Sequence, residues 1–293
     1  MKHDFGSALA LMVVPMLAAL AGACGSSNGD SSSSTGGSDA AAGATNSHAG
    51  ASSHAGASGA QSHGGNTGSG DYLGPTVGSA QPFAALAYSA ITAANLSPVT
   101  GDLGVSAGAM SKITGFDAAT DQKFGSDSLA PNDQRALLAQ QDVTALVGDI
   151  DPRACDEDLT DVVGGLTGDV TLHPGVTCMN SFSADVLLNG HLTLDAKNDP
   201  NAYFVIRSNL TLTVADAAQV VLANGAQACS VFWRVKKQVT IGKTVQFYGT
   251  VIAGTAVSMK SGSTLVGRAL AQTAGVSLDA NTITIPSDCS HSE

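Results

Sequence analysis

Short runs that alternate apolar, hydroxyl and apolar residues recur through the C-terminal half of the chain, as in "VTL", "LTL" and "VSM". The central residues of these runs are Thr171, Thr193, Thr211, Thr240, Ser258 and Ser277. Successive centres lie 22, 18, 29, 18 and 19 residues apart. Since a repeat of about 20 residues is typical of a solenoid, this spacing predicts coils that each hold about three short strands.

The alternation inside each run predicts which side chains face the core. Successive side chains of a strand point to opposite faces, so the flanking Val, Leu or Ile should point inward and the central Thr or Ser outward. Each strand should pair with its copy one coil away. A β-sandwich would also contain many short strands, but its hairpins lack such near-identical repeats. The pattern therefore favours a mainly β fold, an irregular β-solenoid (β-helix).

One segment, roughly residues 131–148, has a helical pattern. It begins with Pro131 and is rich in Ala, Leu and Gln, and Asn132 or Ser128 could cap its N-terminus. Its apolar side is predicted to contain Leu137, Leu138, Ala145, Leu146 and Val147. Its polar side is predicted to carry Asp133, Arg135, Gln140 and Asp142. We expect one long α-helix that packs alongside the solenoid.

The first 24 residues are typical of an export signal, because an apolar run follows Lys2 and ends in small residues. The run ends at "AGAC", which resembles a bacterial lipobox in which Cys24 would become the lipidated N-terminus. The alternative is an ordinary secretory signal with an incidental cysteine. Both alternatives predict an exported protein of the bacterial cell envelope, anchored to a membrane through an N-terminal lipid or secreted.

A low-complexity tract of Ser, Gly, Ala, Asn and His follows at residues 25–70. It has almost no large apolar side chains and cannot bury enough surface to offset chain entropy, so it is predicted to be a disordered linker. Its histidines are interpreted as part of the low-complexity sequence and not as metal ligands. The remaining body, residues 71–288, is predicted to form a single solenoid domain, which we expect to be monomeric.

Four further cysteines are interpreted as disulfide partners. Cys155, Cys178, Cys229 and Cys289 lack the CxxC spacing of zinc or iron–sulfur sites. An even number in an exported chain predicts two disulfides, with three possible connectivities. The pairs Cys155–Cys178 and Cys229–Cys289 are favoured, because the first is the most local and the second would attach the C-terminal tail to the body.

Charge and motif content argue against several functions. The chain has 24 acidic and 13 basic residues, a formal net charge of −11, which disfavours binding to nucleic acid. It contains no HExxH or phosphate-binding Gly-rich motif, and its basic residues form no recognisable set with a carboxylate pair. We therefore predict a protein that is not an enzyme and that needs neither a metal nor a cofactor.

Five ordered blocks span roughly residues 72–286, including "LGPTVGSAQPFAALAYSAIT", "LTLDAKNDPNAYFVI" and "GTVIAGTAVSMKSGSTLVGRALAQTAGVSLDANTIT". These blocks resemble the microbial ice-binding protein family. The resemblance implies an irregular β-solenoid with one long α-helix packed alongside. It also implies a function in binding ice and its ordered water, as an antifreeze protein or an inhibitor of ice recrystallisation.

The resemblance further implies a flat face that carries Thr-[Ala/Gly]-x-[Thr/Asn] motifs. The best matches run from Thr92 to Asn95, from Thr255 to Ser258, and, with one extra residue, from Thr273 to Ser277. These six residues are the predicted ice-binding set. Stacked Thr and Ser side chains would hold water in an ice-like layer, and the charge of Lys260 at the edge of the face would disturb that layer.

The alternative function is that of a surface-tethered adhesin or a carbohydrate-binding solenoid without ice activity. Sugar rings pack on aromatic side chains, so this alternative predicts that Trp233, Tyr248 and Tyr203 line one open face.

Overall fold

Parallel strand pairing connects the whole β-structure of the computed structural model. The structure describes residues 74–116, 122–127, 134–160, 165–179 and 185–287. These residues belong to one compact unit, Gly65–Glu293. The predicted export signal, Cys24 and the linker lie outside the described residues.

The described residues form twenty strands and one α-helix, and their bounds are as follows. The strands are β1 (Phe83–Ala87), β2 (Ile91–Ala93), β3 (Val99–Thr100), β4 (Asp102–Val105), β5 (Ile113–Thr114), β6 (Lys123–Phe124), β7 (Glu157–Asp158), β8 (Leu166–Leu172), β9 (Gly175–Met179), β10 (Val186–Asp195), β11 (Phe204–Ser208), β12 (Leu212–Val214), β13 (Gln219–Ala223), β14 (Val231–Val235), β15 (Val239–Ile241), β16 (Gln246–Ala253), β17 (Val257–Met259), β18 (Thr264–Ala271), β19 (Val276–Leu278) and β20 (Thr282–Thr284). The helix is α1 (Arg135–Ile150), and short 3₁₀ turns occur at Gly78–Ala80, Met110–Lys112 and Ala228–Ser230.

Stacking of successive coils produces three sheet faces. The hydroxyl face consists of β2, β5, β12, β15, β17, β19 and the first residues of β10. The broad face consists of β3, β13, β20, most of β8, the end of β10 and the first halves of β16 and β18. The helix-covered face consists of β1, β4, β6, β7, β9, β11, β14 and the second halves of β16 and β18.

Glycine makes the corner between two faces possible where β8 and β10 stack. Gly190 in β10 pairs with Gly168 in β8, where both strands turn from the hydroxyl face towards the broad face. Gly190 has a φ of 130°, and a Cβ there would lie 2.3 Å from the carbonyl oxygen of Gly168. Only glycine fits such a close approach of two backbones.

The beginning and the end of the domain meet in the middle of the stack. β1 pairs with β18, β2 with β19, and β3 with β20. The strands β4–β6 continue the stack beyond this junction. The helix then connects that end to β7–β9, which pair with the coils at the opposite end. All three faces therefore contain strands from both ends of the domain.

The predicted alternation of side chains is confirmed. Val257 and Met259 are buried on either side of the half-buried Ser258, and Val276 and Leu278 are buried on either side of the exposed Ser277. The predicted run centres, however, do not form one ladder. Thr171 and Thr193 pair with each other on the broad face, whereas Thr240, Ser258 and Ser277 lie on the hydroxyl face. The predicted centre Thr211 is wrong, because the strand there is Leu212–Val214 and Thr213 is its outward residue. The coils differ in length, so sequence spacing alone could not assign the faces.

The helix confirms one predicted element but corrects its limits and its sides. It begins at Arg135 and ends at Ile150, and the predicted caps and Pro131 lie outside the described residues. It buries five apolar residues, Ala136, Ala139, Val143, Leu146 and Ile150, against the helix-covered face. Leu137 and Leu138, predicted to face inward, are 42% and 48% exposed, while Gln140, predicted to face outward, is 9% exposed. The sheet that the helix packs against therefore determines which side of the helix is buried, and the positions of the apolar residues alone did not predict that side.

One predicted cysteine pair is present. A disulfide joins Cys155, after the helix, to Cys178 in β9. Cys229 is also disulfide-bonded. Its predicted partner, Cys289, lies outside the described residues, so that pairing stays a prediction. In the described part of the chain, no helix is both long and apolar enough to cross a membrane.

Candidate functional site

A continuous ladder of hydroxyl side chains runs along the hydroxyl face. The ladder consists of Thr213, Thr240, Ser258, Ser277, Thr92 and Thr114, each paired with the next through its Cα position. Each residue is the outward-facing centre or end of a short strand. Since paired strands lie about 4.8 Å apart, five steps extend the ladder over roughly 24 Å.

Three of the six predicted site residues lie on this ladder and are consecutive in it: Ser258, Ser277 and Thr92. They come from opposite ends of the domain. Thr92 is the first residue of its predicted motif, whereas Ser258 and Ser277 are the last residues of theirs. The motifs therefore do not stack in the same register.

The other three predicted residues flank the ladder. Thr255 and Thr273 lie at the corner where the chain enters the hydroxyl face, and the Thr273 hydroxyl donates a 2.7 Å hydrogen bond to the carbonyl oxygen of Gly254. Asn95 lies beyond β2, and its side-chain amide donates to the carboxylate of Asp279. These three residues form the edges of the face, not its centre.

The ladder also contains residues that motif matching missed: Thr213, Thr240 and Thr114. The runs "LTV" at 212–214 and "VTI" at 239–241 were the available signals, because their alternation matches that of "VSM" and "VSL". The four-residue motif does not include these residues. In two of its three matches, the first Thr of the motif lies at a corner and not on the ladder.

A second, flatter row lies beside the ladder. Backbone N–H groups of the ladder strands donate to the carbonyl oxygens of Ala256, Gly275 and Ala90 in successive coils. None of these three residues has a side chain larger than a methyl group. Gln238 and Thr211 continue the row in one direction. The middle of the hydroxyl face is therefore low and uncharged.

The core beneath the ladder holds it in place. Ile91, Val239, Val257 and Val276, the residues before four of the rungs, are at most 1% exposed. Packed interiors have low compressibility, so the rungs cannot shift independently. Within the described residues, the hydroxyl groups of Ser258, Ser277 and Thr92 have no protein hydrogen-bond partner, unlike Thr240, which accepts from Gln238.

Charged side chains lie at the borders of the hydroxyl face. Lys260 follows β17 and is exposed, and Asp279 follows β19 and is half-buried. Lys237 lies at the opposite corner, where its carbonyl oxygen accepts a hydrogen bond from the Thr255 backbone. Lys112, just before β5, limits the uncharged area at one end. The charge expected at Lys260 is therefore a border feature.

The broad face has a different character. One of its outward rows contains Thr171, Thr193, Val221, Tyr248, Val266 and Thr284. The parallel row contains Asp169, His191, Gln219, Gln246, Thr264 and Thr282. Tyr248 projects from a row of Thr and Val, the parallel row combines charged, amide and hydroxyl side chains, and a cleft of about 520 Å³ interrupts both rows. This face is neither flat nor uniform.

The aromatic residues do not form the platform that the adhesin alternative predicts. Trp233 is fully buried, and its indole Nε1 donates a 2.8 Å hydrogen bond to the carbonyl oxygen of Tyr248. The Tyr248 side chain is half-buried on the broad face. Tyr203 packs under the Arg153 guanidinium beside the helix-covered face. The three residues therefore line no common open face.

The basic residues with the most contacts have structural roles. Arg234 forms an ion pair of 3.0 Å with Asp151, and Arg207 donates to the carbonyl oxygen of Ile150 at the C-terminus of the helix. A positive charge there is favourable because the helix dipole places partial negative charge at that end. In the segments that the structure describes, no group of His, Cys, Asp or Glu is arranged to hold a metal ion.

A comparison with known families assigns the chain. The family model described as "Ice-binding-like" matches residues 85–284, most of the described solenoid. The chain belongs to the ice-binding-like family. This membership confirms the resemblance, and it also confirms the prediction that the protein is not an enzyme.

Known members of the ice-binding-like family agree with the assignment. The chain is 36% identical to an ice-binding protein of Nostoc sp. (strain HG1) over 209 residues, 71% of this chain and 72% of that protein. A solved domain of Shewanella frigidimarina ice-binding protein 1 is 30% identical, with a TM-score of 0.64 over 74% of this chain and 99% of the domain.

A third comparison confirms the fold. An ice-binding protein from an Arctic yeast, which has antifreeze activity, is 27% identical in sequence to this chain, and its solved structure matches with a TM-score of 0.68. The match covers 76% of this chain and 99% of the yeast chain. The predicted β-solenoid with one long helix is thus the fold of solved ice-binding proteins.

Proposed function

We propose that this protein binds ice and that the hydroxyl face is the contacting surface. One observation carries the proposal: six Thr or Ser side chains stack at successive rungs, beside a row of Ala and Gly, without an intervening charge. Family membership and the names of the relatives support ice as the ligand.

The physical basis is ordered hydration water. Rungs about 4.8 Å apart present hydroxyl groups at a spacing close to a repeat of the ice lattice. The Thr methyl groups and the Ala row hold water weakly, whereas the free hydroxyls of Ser258, Ser277 and Thr92 fix its positions. A layer of water arranged in this way can merge with a growing crystal. No cofactor, metal or turnover takes part in such binding.

The hydroxyl face is preferred over the broad face because ice presents a flat surface. Tyr248 and the cleft beside it break the plane of the broad face, and the exposed amides of Gln219 and Gln246 project from it. The small residues Ala256, Gly275 and Ala90 keep the hydroxyl face level. We expect modest activity, such as limiting ice recrystallisation or holding cells to ice, since Lys112 and Lys260 restrict the uncharged area.

Recrystallisation of fine-grained ice tests the proposal with two matched variants. Thr92→Tyr places a ring on the ladder, and Thr282→Tyr places the same ring on a Thr of the broad face that is also exposed. The ring at Thr92 should also keep ice away from the neighbouring residues Ser277 and Thr114, so that three of the six ladder residues lose contact. We expect the effective concentration to rise at least tenfold, because a loss of ~1.4 kcal/mol suffices for that change. Thr282→Tyr should match the wild type.

Two results would reject the proposal in different ways. A wild-type protein without any effect on ice at high concentration would remove the function and leave adhesion as the remaining candidate. Equal activity of Thr92→Tyr and the wild type would retain the function but exclude the hydroxyl face.

Export and attachment are a separate proposal. The disulfide and the ice-binding relatives support a location outside the cytoplasm, where disulfides persist. We infer that Cys24 is lipidated and that residues 25–70 serve as a tether of roughly 35–40 Å r.m.s. span. Metabolic labelling with a fatty-acid analogue should mark the wild type and not Cys24→Ser. Equal labelling of both would end the claim. We expect the mature protein to be a monomer, which its sedimentation in solution would test.

A further inference from the structure

The cleft in the broad face has an origin in strand pairing. β13 pairs with β10 through five residues, from His191↔Gln219 to Asp195↔Ala223. Towards β16, however, the only paired position within the described span 185–287 is Gln219↔Gln246. Beyond that position β13 runs on to Ala223 and β16 to Gly249, which has a φ of 108°, without a further paired position. The two strands therefore diverge and open a space between them.

The side chains around this space combine an aromatic ring, amides and a hydroxyl. The cleft has a volume of about 520 Å³, within the range of about 300–1,000 Å³ that small-molecule sites occupy. Tyr248 lies on one side and Val221, 41% exposed, on the other. Gln219 and Gln246 lie side by side at the closed end, and Thr244 lies at the rim.

The polar groups of the cleft are available to a ligand. Among the contacts of the described residues, the side-chain amides of Gln219 and Gln246 make no hydrogen bond to protein groups, and both residues are exposed. Each amide offers two N–H donors and one carbonyl acceptor. Two adjacent amides can thus both donate to and accept from hydroxyl groups that are themselves donors and acceptors.

The charge of the lining selects the class of ligand. The residues that line the cleft carry no formal charge. The chain as a whole has a net charge of −11, which disfavours phosphorylated or otherwise anionic ligands. The remaining class is neutral, rich in hydroxyl groups, and has an apolar face that can pack on an aromatic ring. Sugar units have these properties.

We propose that the cleft between β13 and β16 binds a neutral sugar unit of a glycan. The C–H face of the sugar packs on the Tyr248 ring, and its hydroxyl groups form hydrogen bonds with the amides of Gln219 and Gln246. Val221 closes the opposite side. This binding is separate from ice binding, because the cleft lies on the broad face and the ladder on the hydroxyl face. A protein with both sites would attach to ice and to a glycan at once.

Trp233 provides a direct readout. It is the single tryptophan of the chain, and its indole donates to the backbone carbonyl of Tyr248. Binding at Tyr248 should therefore change its fluorescence emission. The purified protein is titrated with cellotetraose, maltotetraose, mannotetraose and tetra-N-acetylchitotetraose, with tetragalacturonic acid as a charged comparison. We expect at least one neutral tetrasaccharide to bind with a Kd of about 1 mM or below.

Four variants assign the binding to the cleft. Tyr248→Ala should weaken binding about tenfold or more, because it removes the stacking ring, whereas Tyr248→Phe should stay within about threefold of the wild type. The double variant Gln219→Ala and Gln246→Ala should also lose at least tenfold. Thr264→Ala, one coil from Gln246 on the same row, is the matched control and should bind like the wild type. Isothermal titration calorimetry repeats each measurement, since Tyr248 variants can alter Trp233 emission without ligand.

The outcomes separate this proposal from ice binding. Loss of sugar binding in the cleft variants with unchanged ice recrystallisation activity supports two independent sites. The proposal is overturned if no neutral tetrasaccharide binds with a Kd of about 1 mM or below, if the charged tetramer binds more tightly than all neutral ones, or if the double glutamine variant binds like the wild type. That double variant decides the question should Tyr248→Ala fail to fold. A wild type that binds sugar but not ice would contradict the proposed function alone.

Discussion

A buried hydroxyl group without a partner lies between the helix and the sheet. Thr250 in β16 is 0% exposed and pairs with Phe232 in β14 and Arg268 in β18. Its Oγ1 has no hydrogen-bond partner among the described residues. Burying a hydroxyl group without a hydrogen bond costs about 1–3 kcal/mol in proteins. Thr250→Val keeps the branched shape and removes the hydroxyl, so it should stabilise the fold.

The size of this effect can be stated for a domain of this length. Removing the penalty should increase the free energy of unfolding by about 1 kcal/mol, at the lower end of the range because packing around the new methyl group is imperfect. That gain corresponds to a rise in Tm of about 2–4 °C for 150–250 residues. Denaturant unfolding followed by the fluorescence of the buried Trp233 measures it. The denaturant midpoint should increase at constant m-value.

A control distinguishes this effect from a general benefit of Val in strands. Thr264→Val lies on the broad face, where its half-buried hydroxyl can contact water, and should change stability by no more than about 0.5 kcal/mol. If Thr250→Val instead destabilises the protein by 1 kcal/mol or more, the hydroxyl has a bound partner such as an internal water, and the reasoning is wrong.

Two further predictions concern a contact in the middle of the helix and a disulfide just beyond its C-terminus. Asp142 accepts 2.7 Å hydrogen bonds from the hydroxyl and the backbone N–H of Ser79, which lower the pKa of its carboxyl group below the ordinary 3.8. The ionised carboxylate therefore stabilises the fold above about pH 4, and this stability is lost as the pH falls through the lowered pKa. Asp142→Asn should make Tm depend less on pH in the acid range. A curve of Tm against pH that does not change would contradict this contribution. Cys155→Ser removes the disulfide to Cys178, whose two cysteines are 23 residues apart in sequence. Under oxidising conditions this change should lower the free energy of unfolding by about 2–4 kcal/mol, measured by chemical unfolding. Under reducing conditions wild type and variant should converge, and a persistent gap would assign the loss to packing instead.

The alternation of side chains was the most reliable guide to the fold. It predicted the inward residues around Ser258 and Ser277 because strand geometry determines side-chain direction within three residues. The helix was also predictable as an element. Its buried stripe was not, because Gln140 is covered by the sheet while Leu137 and Leu138 extend beyond it. Burial of a helix side chain depends on a neighbouring surface that is distant in sequence.

The site was predictable only in part for a related reason. Ser258 and Ser277 belong to adjacent coils, so their stacking follows from a repeat of 19 residues. Thr92 joins them because the first coil of the domain pairs with the last, and no local pattern encodes that junction. Thr255 and Thr273 matched a motif, yet backbone turns before β17 and β19 place them at a corner. The sequence therefore predicted which residue types form the face, but not which of those residues stack on one another.

Incorporation into slowly grown ice tests the central claim most directly. A solution of wild type, Ser277→Tyr or Thr282→Tyr is frozen gradually, and the fraction of protein taken up by the ice is measured against a protein that does not bind ice. Ser277 is a central rung, with Ser258 and Thr92 on either side, and its buried neighbours Val276 and Leu278 are untouched by the substitution. We predict strong uptake of wild type and Thr282→Tyr, and exclusion of a correctly folded Ser277→Tyr. Uptake of Ser277→Tyr equal to that of wild type would contradict the assignment of ice binding to the hydroxyl ladder.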